Sequence, residues 1–386
     1  MTTTAALLDV AALRAEEFPA TAGFAYLDAA STGLLPERSR RRLEEWGRLR
    51  QRPLPSKDAL FSVFEEARAL AARLVNATPA EIALTANTSY GLNVAARMLP
   101  LSPGDIVLVS DREFPSNVRP WQRLELEGVI AELVPLTAEG WPDEDRLVAR
   151  LADPRVKVLA VSLVQFANGY RVDLARLSAA TRASGAFLVV DAIQALGQLP
   201  VDLAQVEVDI LATGGQKWLL GPWGTGFMYV RRPLIERFVP PFAGWLAFEG
   251  TDDFSRLAEY DPAWRHDAKR FELITLPFQD FAAFNASVEL LLEVGPARIE
   301  AHLQALHEPL LDLAARRGLA LASPRGKAGS GILCVRVGEA GKRLHGALRA
   351  AQVHCSLREG ALRFSPHVYN AITDTERAAE ALDRAL

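Results

Sequence analysis

Cysteine is nearly missing: Cys334 and Cys355 are the two in 386 residues. That is too few, and the spacing too wide, for a disulfide framework or a thiolate zinc site. A reducing cytoplasm is the expected compartment, with both thiols acting as small packing residues. His266, His354 and His367 show no metal-ligand spacing. No apolar run approaches the ~18 residues that cross a bilayer. The start, MTTTAALLDVAALRAEEFPA, carries acids where a secretory leader has basic residues. A soluble, intracellular protein without membrane contact is expected. Basic excess is lacking too: the formal net charge is -4 and the pI about 6.0, which gives no footprint for nucleic acid. The run RSRRR at 38–42 reads as a solvated helix face. Repeats and low-complexity tracts are also absent.

What is present is ample apolar material. A hydrophobic content of 49% rules out general disorder. The length exceeds what one growing core accommodates, so a larger and a smaller domain are expected. From about residue 80 to 230, short apolar runs alternate with helical patterns: IALTA, TSYGLNVAARML, DIVLVS, an amphipathic stretch to 128, VKVLAVSLV, DLARLSAATRAS, AFLVVDA and VDILATG. Such alternation predicts an α/β fold, a mostly parallel sheet with helices on both faces. Ligands of such sheets bind beyond the carboxyl ends of the strands. After about residue 259 come longer helices, FAAFNASVELLLEVG and ARIEAHLQALHEPLLDLAARRG. Strands GILCVRV and ALRFSP follow, then a last helix, TDTERAAEALDRAL. The expected division is 1–20, a helical segment ending at Phe18-Pro19 and packing on either domain; 21–258, the large domain; and 259–386, a smaller α/β domain.

The segment VDILATGGQKWLLGPWGTGFMYV, 208–230, sets Lys217 among glycines that let the backbone approach a ligand closely. Lys217 is either a surface lysine beside a turn or a desolvated amine able to attack a carbonyl. Asp191 ends the run AFLVVD; it either caps the next helix or meets a cation such as a pyridinium nitrogen. Gln194 follows one turn later. Thr88 and Ser89 stand between a strand and a helix, as plain N-caps or as hydroxyls for a phosphate at the helix N-terminus. Phe114, at another strand end, is a core residue or a ring that stacks on a cofactor. Tyr90, Trp223 and Trp245 are aromatic residues able to wall a pocket. No G-x-G-x-x-G opens a helix, since Gly224-Thr225-Gly226 leads into the strand-like FMYV, so a dinucleotide fold is excluded.

In order and spacing, from YLDAASTGLLP at 26–36 to LRFSPHVYN at 362–370, the chain resembles the class V aminotransferases of the fold-type I pyridoxal phosphate enzymes. That group includes cysteine desulfurases, selenocysteine lyases, kynureninases and isopenicillin N epimerase-like proteins. The resemblance implies a large domain with a seven-stranded sheet and pyridoxal 5'-phosphate as cofactor. It places Lys217 as the Schiff-base lysine, and Asp191 and Gln194 at the pyridine nitrogen and phenolic oxygen. Thr88, Ser89 and Gln216 then lie at the phosphate, with Phe114 against the ring. RFELIT at 270–275 resembles a segment whose threonine, here Thr275, reaches the phosphate of a neighbouring subunit, which implies a homodimer with shared sites. SLREGALRFSPHVYN offers Arg358 and Arg363 for the substrate carboxylate, which a guanidinium can grip at two points.

Two departures stand out. Desulfurases carry a cysteine between two such arginine segments, whereas Glu359 to Leu362 contain none. Leu163 replaces a polar residue that they use near the ring. The resemblance implies that Lys217 takes the substrate α-proton while Asp191 stabilises the carbanion through the ring. An aminotransferase that releases a keto acid and uses a keto acid acceptor is favoured. The alternatives are a carbon–sulfur, carbon–selenium or kynureninase-type lyase, or an epimerase. A pyridoxal phosphate-binding protein without turnover is disfavoured, since Lys217, Asp191 and Arg363 are all intact.

Overall fold

A computed structural model describes residues 8–54 and 56–386. Seven strands form the central sheet: β2 (Ile82–Leu84), β3 (Ile106–Ser110), β4 (Ile130–Val134), β5 (Val156–Ser162), β6 (Phe187–Asp191), β7 (Ile210–Gly214) and β8 (Gly226–Val230), following a short β1 (Ala25–Tyr26) elsewhere. Their order across the sheet is β2-β8-β7-β6-β5-β3-β4. Strands β7, β6, β5, β3 and β4 run parallel, and β8 is antiparallel to both of its neighbours.

Alternate residues of the central strands enter two separate cores. Leu108, Leu159, Leu188 and Val190 face one, and Val107, Val109, Val158, Ala160 and Val189 face the other. A strand with side chains on both faces needs a helical layer over each. The first layer contains the helix Lys57–Val75, whose Phe64 stacks on Phe278 at 4.5 Å between centroids. The second contains the helix Thr88–Met98 with Leu92, Val94 and Ala95, together with Trp121. The expected amphipathic stretch to 128 is broken into a short helix, Arg119–Arg123, and a 3-10 turn, Leu124–Glu127.

A second sheet, in the order β11-β12-β9, is antiparallel: β9 (Leu333–Arg336), β11 (Ser356–Arg358) and β12 (Ala361–Phe364). Between β11 and β12 lie only Glu359 and Gly360, both left-handed at φ 46° and 75°, the two-residue turn that suits a twisted hairpin. The long helices Phe278–Val294 and Pro296–Arg317 and the last helix, Ile372–Ala385, fall where the pattern placed them. Strand β1 pairs in parallel with β10 (Val353–His354), and Asp28 bridges to Ser365. Residues 25–28 are therefore held against the C-terminal sheet.

The N-terminal helix runs Val10–Glu17, capped by Asp9 and ending at Phe18; its first expected residues, 1–7, lie outside the described residues. It touches both parts of the chain, through Glu17 to Arg38 at 2.7 Å and Arg14 to Asp374 at 3.1 Å. In the run 38–42, Arg40, Arg41 and Arg42 are exposed as expected, but Ser39 is buried against Ser287. Among the described residues, no helix is long and apolar enough to cross a membrane.

Candidate active site

The carboxyl ends of β5, β6 and β7 and the start of the helix after β2 converge on one cavity of about 450 Å³. Its lining includes Lys217, Asp191, Thr88, Ser89, Phe114, Gln194, Gln216, Arg358 and Arg363. Crossover connections bring these side chains together from positions up to 275 residues apart. Thr275 lies elsewhere: its hydroxyl accepts from the Trp245 indole at 3.1 Å on the exposed surface.

Asp191 closes β6 and is buried, with Ser162 as its register partner on β5. The Ile193 N–H donates to Oδ1 at 2.9 Å, and no cation lies within ion-pair distance among the described residues. Burial pushes its carboxyl above the ordinary range, and nearby Glu113 adds to the effect. Lys217 follows β7 by three residues and is half-buried, with Nζ 5.4 Å from the centroid of the Phe114 ring. Burial pushes its amine below the usual lysine range; Asp191 opposes this, while Arg363 and Arg358 reinforce it. A fraction of Lys217 is thus uncharged at conditions where an exposed lysine is fully protonated.

The backbone around the lysine is confined. The Gly33 N–H donates to the Gln216 carbonyl at 2.9 Å, and a Cβ on Gly33 would come within 2.1 Å of the Lys217 oxygen. Only glycine permits that approach.

At the opposite wall the helix cap is Asn87, whose Oδ1 accepts from the Tyr90 N–H at 2.9 Å. Thr88 and Ser89 are therefore first-turn residues and not caps. Thr88 Oγ1 is buried without a hydrogen-bond partner among the described residues, and Ser89 Oγ pairs with Ser116 Oγ at 2.7 Å. The first-turn amides of any helix lack intrahelical partners and favour an anion. Gln194 spans the floor, donating to the Ala30 carbonyl at 3.0 Å and accepting from the Trp218 indole at 2.7 Å.

Arg363 is 1% exposed. Nη1 donates to the Phe166 carbonyl at 2.9 Å and Nη2 to Ser31 Oγ at 2.7 Å, with Asp28 Oδ1 at 3.4 Å. Arg358 is exposed at the end of β11. Of the aromatic residues singled out, Trp223 lines the cavity; the Tyr90 hydroxyl instead donates to the Phe271 carbonyl, and Trp245 stands beside Thr275. Leu163 packs in the core, its N–H donating to the Asp191 carbonyl at 2.9 Å. Both cysteines are buried, and burial pushes their thiols up to about 11 for Cys334 and about 12 for Cys355. Among the described residues no His, Cys, Asp and Glu cluster suits a metal.

Sequence reasoning missed Glu113, Phe166, Asp28 and Ser31. Glu113 is buried, accepting from the Ser162 N–H and Gln165 Nε2, each at 2.7 Å, and from the Ser162 hydroxyl. Phe166 meets Phe114 edge to face at 5.3 Å. Asp28 and Ser31 stood within YLDAAST but carried no spacing that links them to an arginine some 335 positions later.

The family described as Aminotransferase class-V matches residues 25–376. The uncharacterized aminotransferase YcbU of Bacillus subtilis is 28% identical over 318 residues, 82% of each chain. A probable cysteine desulfurase of Pseudomonas aeruginosa is 30% identical over 404 residues, 96% of this chain and 97% of its own. Among solved structures, a lysine-to-alanine mutant of C-DES, a cystine C-S lyase, with glycine covalently linked to the PLP cofactor, superposes with a TM-score of 0.85 at 23% identity, covering 96% of this chain and 98% of that one.

Proposed function

The chain belongs to the class-V aminotransferase family, pyridoxal phosphate-dependent enzymes that act on amino substrates, and from that premise we propose that it moves the amino group of a small amino acid or amine to a keto acid acceptor. The observation that carries transamination over sulfur transfer is the hairpin of β11 and β12. Its two-residue turn holds Glu359 and Gly360 where a sulfur carrier would need a cysteine, and both thiols of the chain are buried and held protonated.

The cavity fits the cofactor. Thr88 Oγ1 is an orphaned buried hydroxyl beside first-turn amides, a donor set for a phosphate together with Ser89 and Gln216. Asp191 is a buried carboxylate that gains a partner from a protonated ring nitrogen. The second N–H of Gln194 is free to meet a phenolic oxygen, and Phe114 offers a face to the ring. When bound, pyridoxal phosphate supplies an electron sink for the pair left at the substrate α-carbon.

The chain's own residues do the rest. The uncharged fraction of the Lys217 amine takes the α-proton; transamination would require it to deliver that proton to the cofactor's aldehyde carbon, since return to the α-carbon would give only exchange or racemisation. Asp191 would hold a proton on the nitrogen of the bound ring. Arg363 orients the substrate carboxylate, and Phe114 and Phe166 shield that side from water. Binding alone requires neither Arg363 nor the tuned amine, which argues against a protein without turnover. β-Elimination, as in a carbon–sulfur or carbon–selenium lyase, would draw on the same residues.

Two experiments test the reading. Purified holoenzyme should show visible absorbance from the bound cofactor, and Lys217→Ala should lose it. A panel of amino acids, with and without a keto acid, should give repeated turnover only when the acceptor is present, and at most one equivalent of keto acid per site without it. Multiple-turnover release of pyruvate or alanine without an acceptor makes the enzyme a lyase and sinks the transaminase reading.

The same proposal includes a homodimer in which Thr275 faces the partner's site, supported by Trp245 and Ile274, exposed at 40% and 54% on either side of it. Sizing in solution checks it. Two free, buried thiols support a reducing cytoplasm as the compartment.

A further inference from the structure

His367 takes no part in the chemistry above, yet it is fully buried and touches the lysine segment. The Val368 N–H donates to His367 Nδ1 at 2.8 Å, so Nδ1 is an acceptor. The ring proton of the neutral imidazole must then sit on Nε2. Nε2 lies 3.0 Å from the Trp218 carbonyl and donates to it. Trp218 directly follows Lys217, and its indole donates to Gln194 on the cavity floor. Burial pushes the imidazole down to about 3, so the donor stays in place at any working pH.

His367 also belongs to the segment that leaves β12, four residues beyond Arg363. Its ring stacks on Tyr369 at 5.6 Å, and its backbone N–H donates to Asn370 Oδ1 at 2.9 Å, which fixes the backbone that carries the imidazole. One side chain thus ties the backbone that bears the lysine to the backbone that bears the arginine. From the other side, Gly33 grips the Gln216 carbonyl. The lysine is held through the carbonyls of its two neighbours, each of which accepts a hydrogen bond.

We propose that His367 is a positioning residue: through Nε2 and the Trp218 carbonyl it fixes Lys217 relative to Asp191 and Arg363. The proposal rests on the reading of Lys217 as the cofactor-bearing lysine. A glutamine can place its amide nitrogen near Nε2, whereas an asparagine reaches only as far as Nδ1. The test is therefore the pair His367→Gln and His367→Asn, read by pyridoxal phosphate affinity of the apoprotein and by the pH midpoint of the visible absorbance of the holoenzyme.

His367→Asn should bind the cofactor about tenfold more weakly, the loss of one buried hydrogen bond, and move the pH midpoint; His367→Gln should stay near the wild type in both. Equal behaviour of the two variants overturns the proposal. So does a failure of both to fold, which makes the role structural only. Lys217→Ala, run beside them, separates the two readings: if it keeps the visible absorbance, the lysine assignment itself has failed.

Discussion

Arg363 Nη2 and Asp28 Oδ1 lie 3.4 Å apart beside the cavity, a pair in which the arginine is buried and the half-buried acid is itself held by the Ser356 hydroxyl at 2.8 Å and the Ser31 hydroxyl at 2.9 Å. Arg363 also donates to Phe166 and Ser31. The guanidinium is thus anchored through both Nη atoms, and the buried Nε–H is the donor left without an acceptor among the described residues. Charge-assisted hydrogen bonds contribute roughly 1.5–3 kcal/mol each, so Arg363→Ala should raise KM for the amino substrate by about 10- to 100-fold and leave the cofactor absorbance in place. Arg363→Lys should not restore it, because an ammonium cannot fork. Arg358 is exposed, and solvent and salt screen it; Arg358→Ala should change KM less. Steady-state kinetics with the reverse ranking would move the carboxylate to Arg358.

Asp191→Asn should have opposite effects on the empty and loaded protein. Burial raises the Asp191 carboxyl above its unfolded value. A raised acid takes up a proton in the folded state that the unfolded chain does not hold. Its ionisation therefore costs stability as pH rises through that window, and the cost persists above it. Removing the charge should raise the melting temperature of the apoprotein at pH 8. The loaded enzyme should lose the partner of the ring nitrogen, with a fall in kcat of about 10²-fold or more. A melting temperature of the apoprotein that drops on substitution would show that Asp191 is already neutralised.

Much of this site was legible because strand ends and helix starts are marked locally. The acid at the end of AFLVVD and the lysine after VDILATGG needed only the strand pattern, and the parallel sheet then brought them together. What escaped were residues that act through another side chain. Glu113 reaches the site through Ser162 and Gln165, and Asp28 through Arg363; no periodicity encodes either link. Asn87 took the cap expected of Thr88 and Ser89 because three adjacent residues can all cap and sequence does not rank them. Thr275 lies outside the cavity of its own chain, and a role at a partner's site is something a single sequence expresses only through resemblance. Tyr90 went to the Phe271 carbonyl because a hydroxyl shielded from water takes an acceptor within reach.

Glu113 should prove more important to stability than its place beside a loop implies. Its carboxyl receives two N–H donors and one hydroxyl, and Glu113→Ala leaves all three buried and unpaired. The expected loss is about 3 kcal/mol, measured as a lower urea midpoint. Glu113→Gln keeps the shape, costs less, and removes the negative neighbour that helps to raise Asp191. Asp191 should then titrate lower, visible as a shifted pH midpoint of the cofactor absorbance. An unchanged midpoint would mean that Glu113 carries no charge in the loaded enzyme.

Acid should expose the cost of burying neutral imidazole at a site remote from the cofactor. His307 lies inside the helix Pro296–Arg317 with Nε2 3.3 Å from the Gly331 carbonyl, and burial pushes it down from 6.5 to about 4. Between those values the unfolded chain binds a proton that the folded protein refuses. Folding stability is therefore lost as pH falls through that window and is regained above it. From pH 7.5 to 5 the loss from His307 approaches about 2 kcal/mol, at ~1.4 kcal/mol for each pH unit below 6.5. Asp191 and Glu113, both raised by burial, act in the opposite direction over part of that range, so the wild-type curve alone is a poor test. Comparison with His307→Gln, which keeps a donor for Gly331 and does not titrate, isolates the term. The variant's urea midpoint should fall less than that of the wild type on going from pH 7.5 to 5. Parallel curves would mean that His307 charges in the folded protein and that the helix opens to admit the proton.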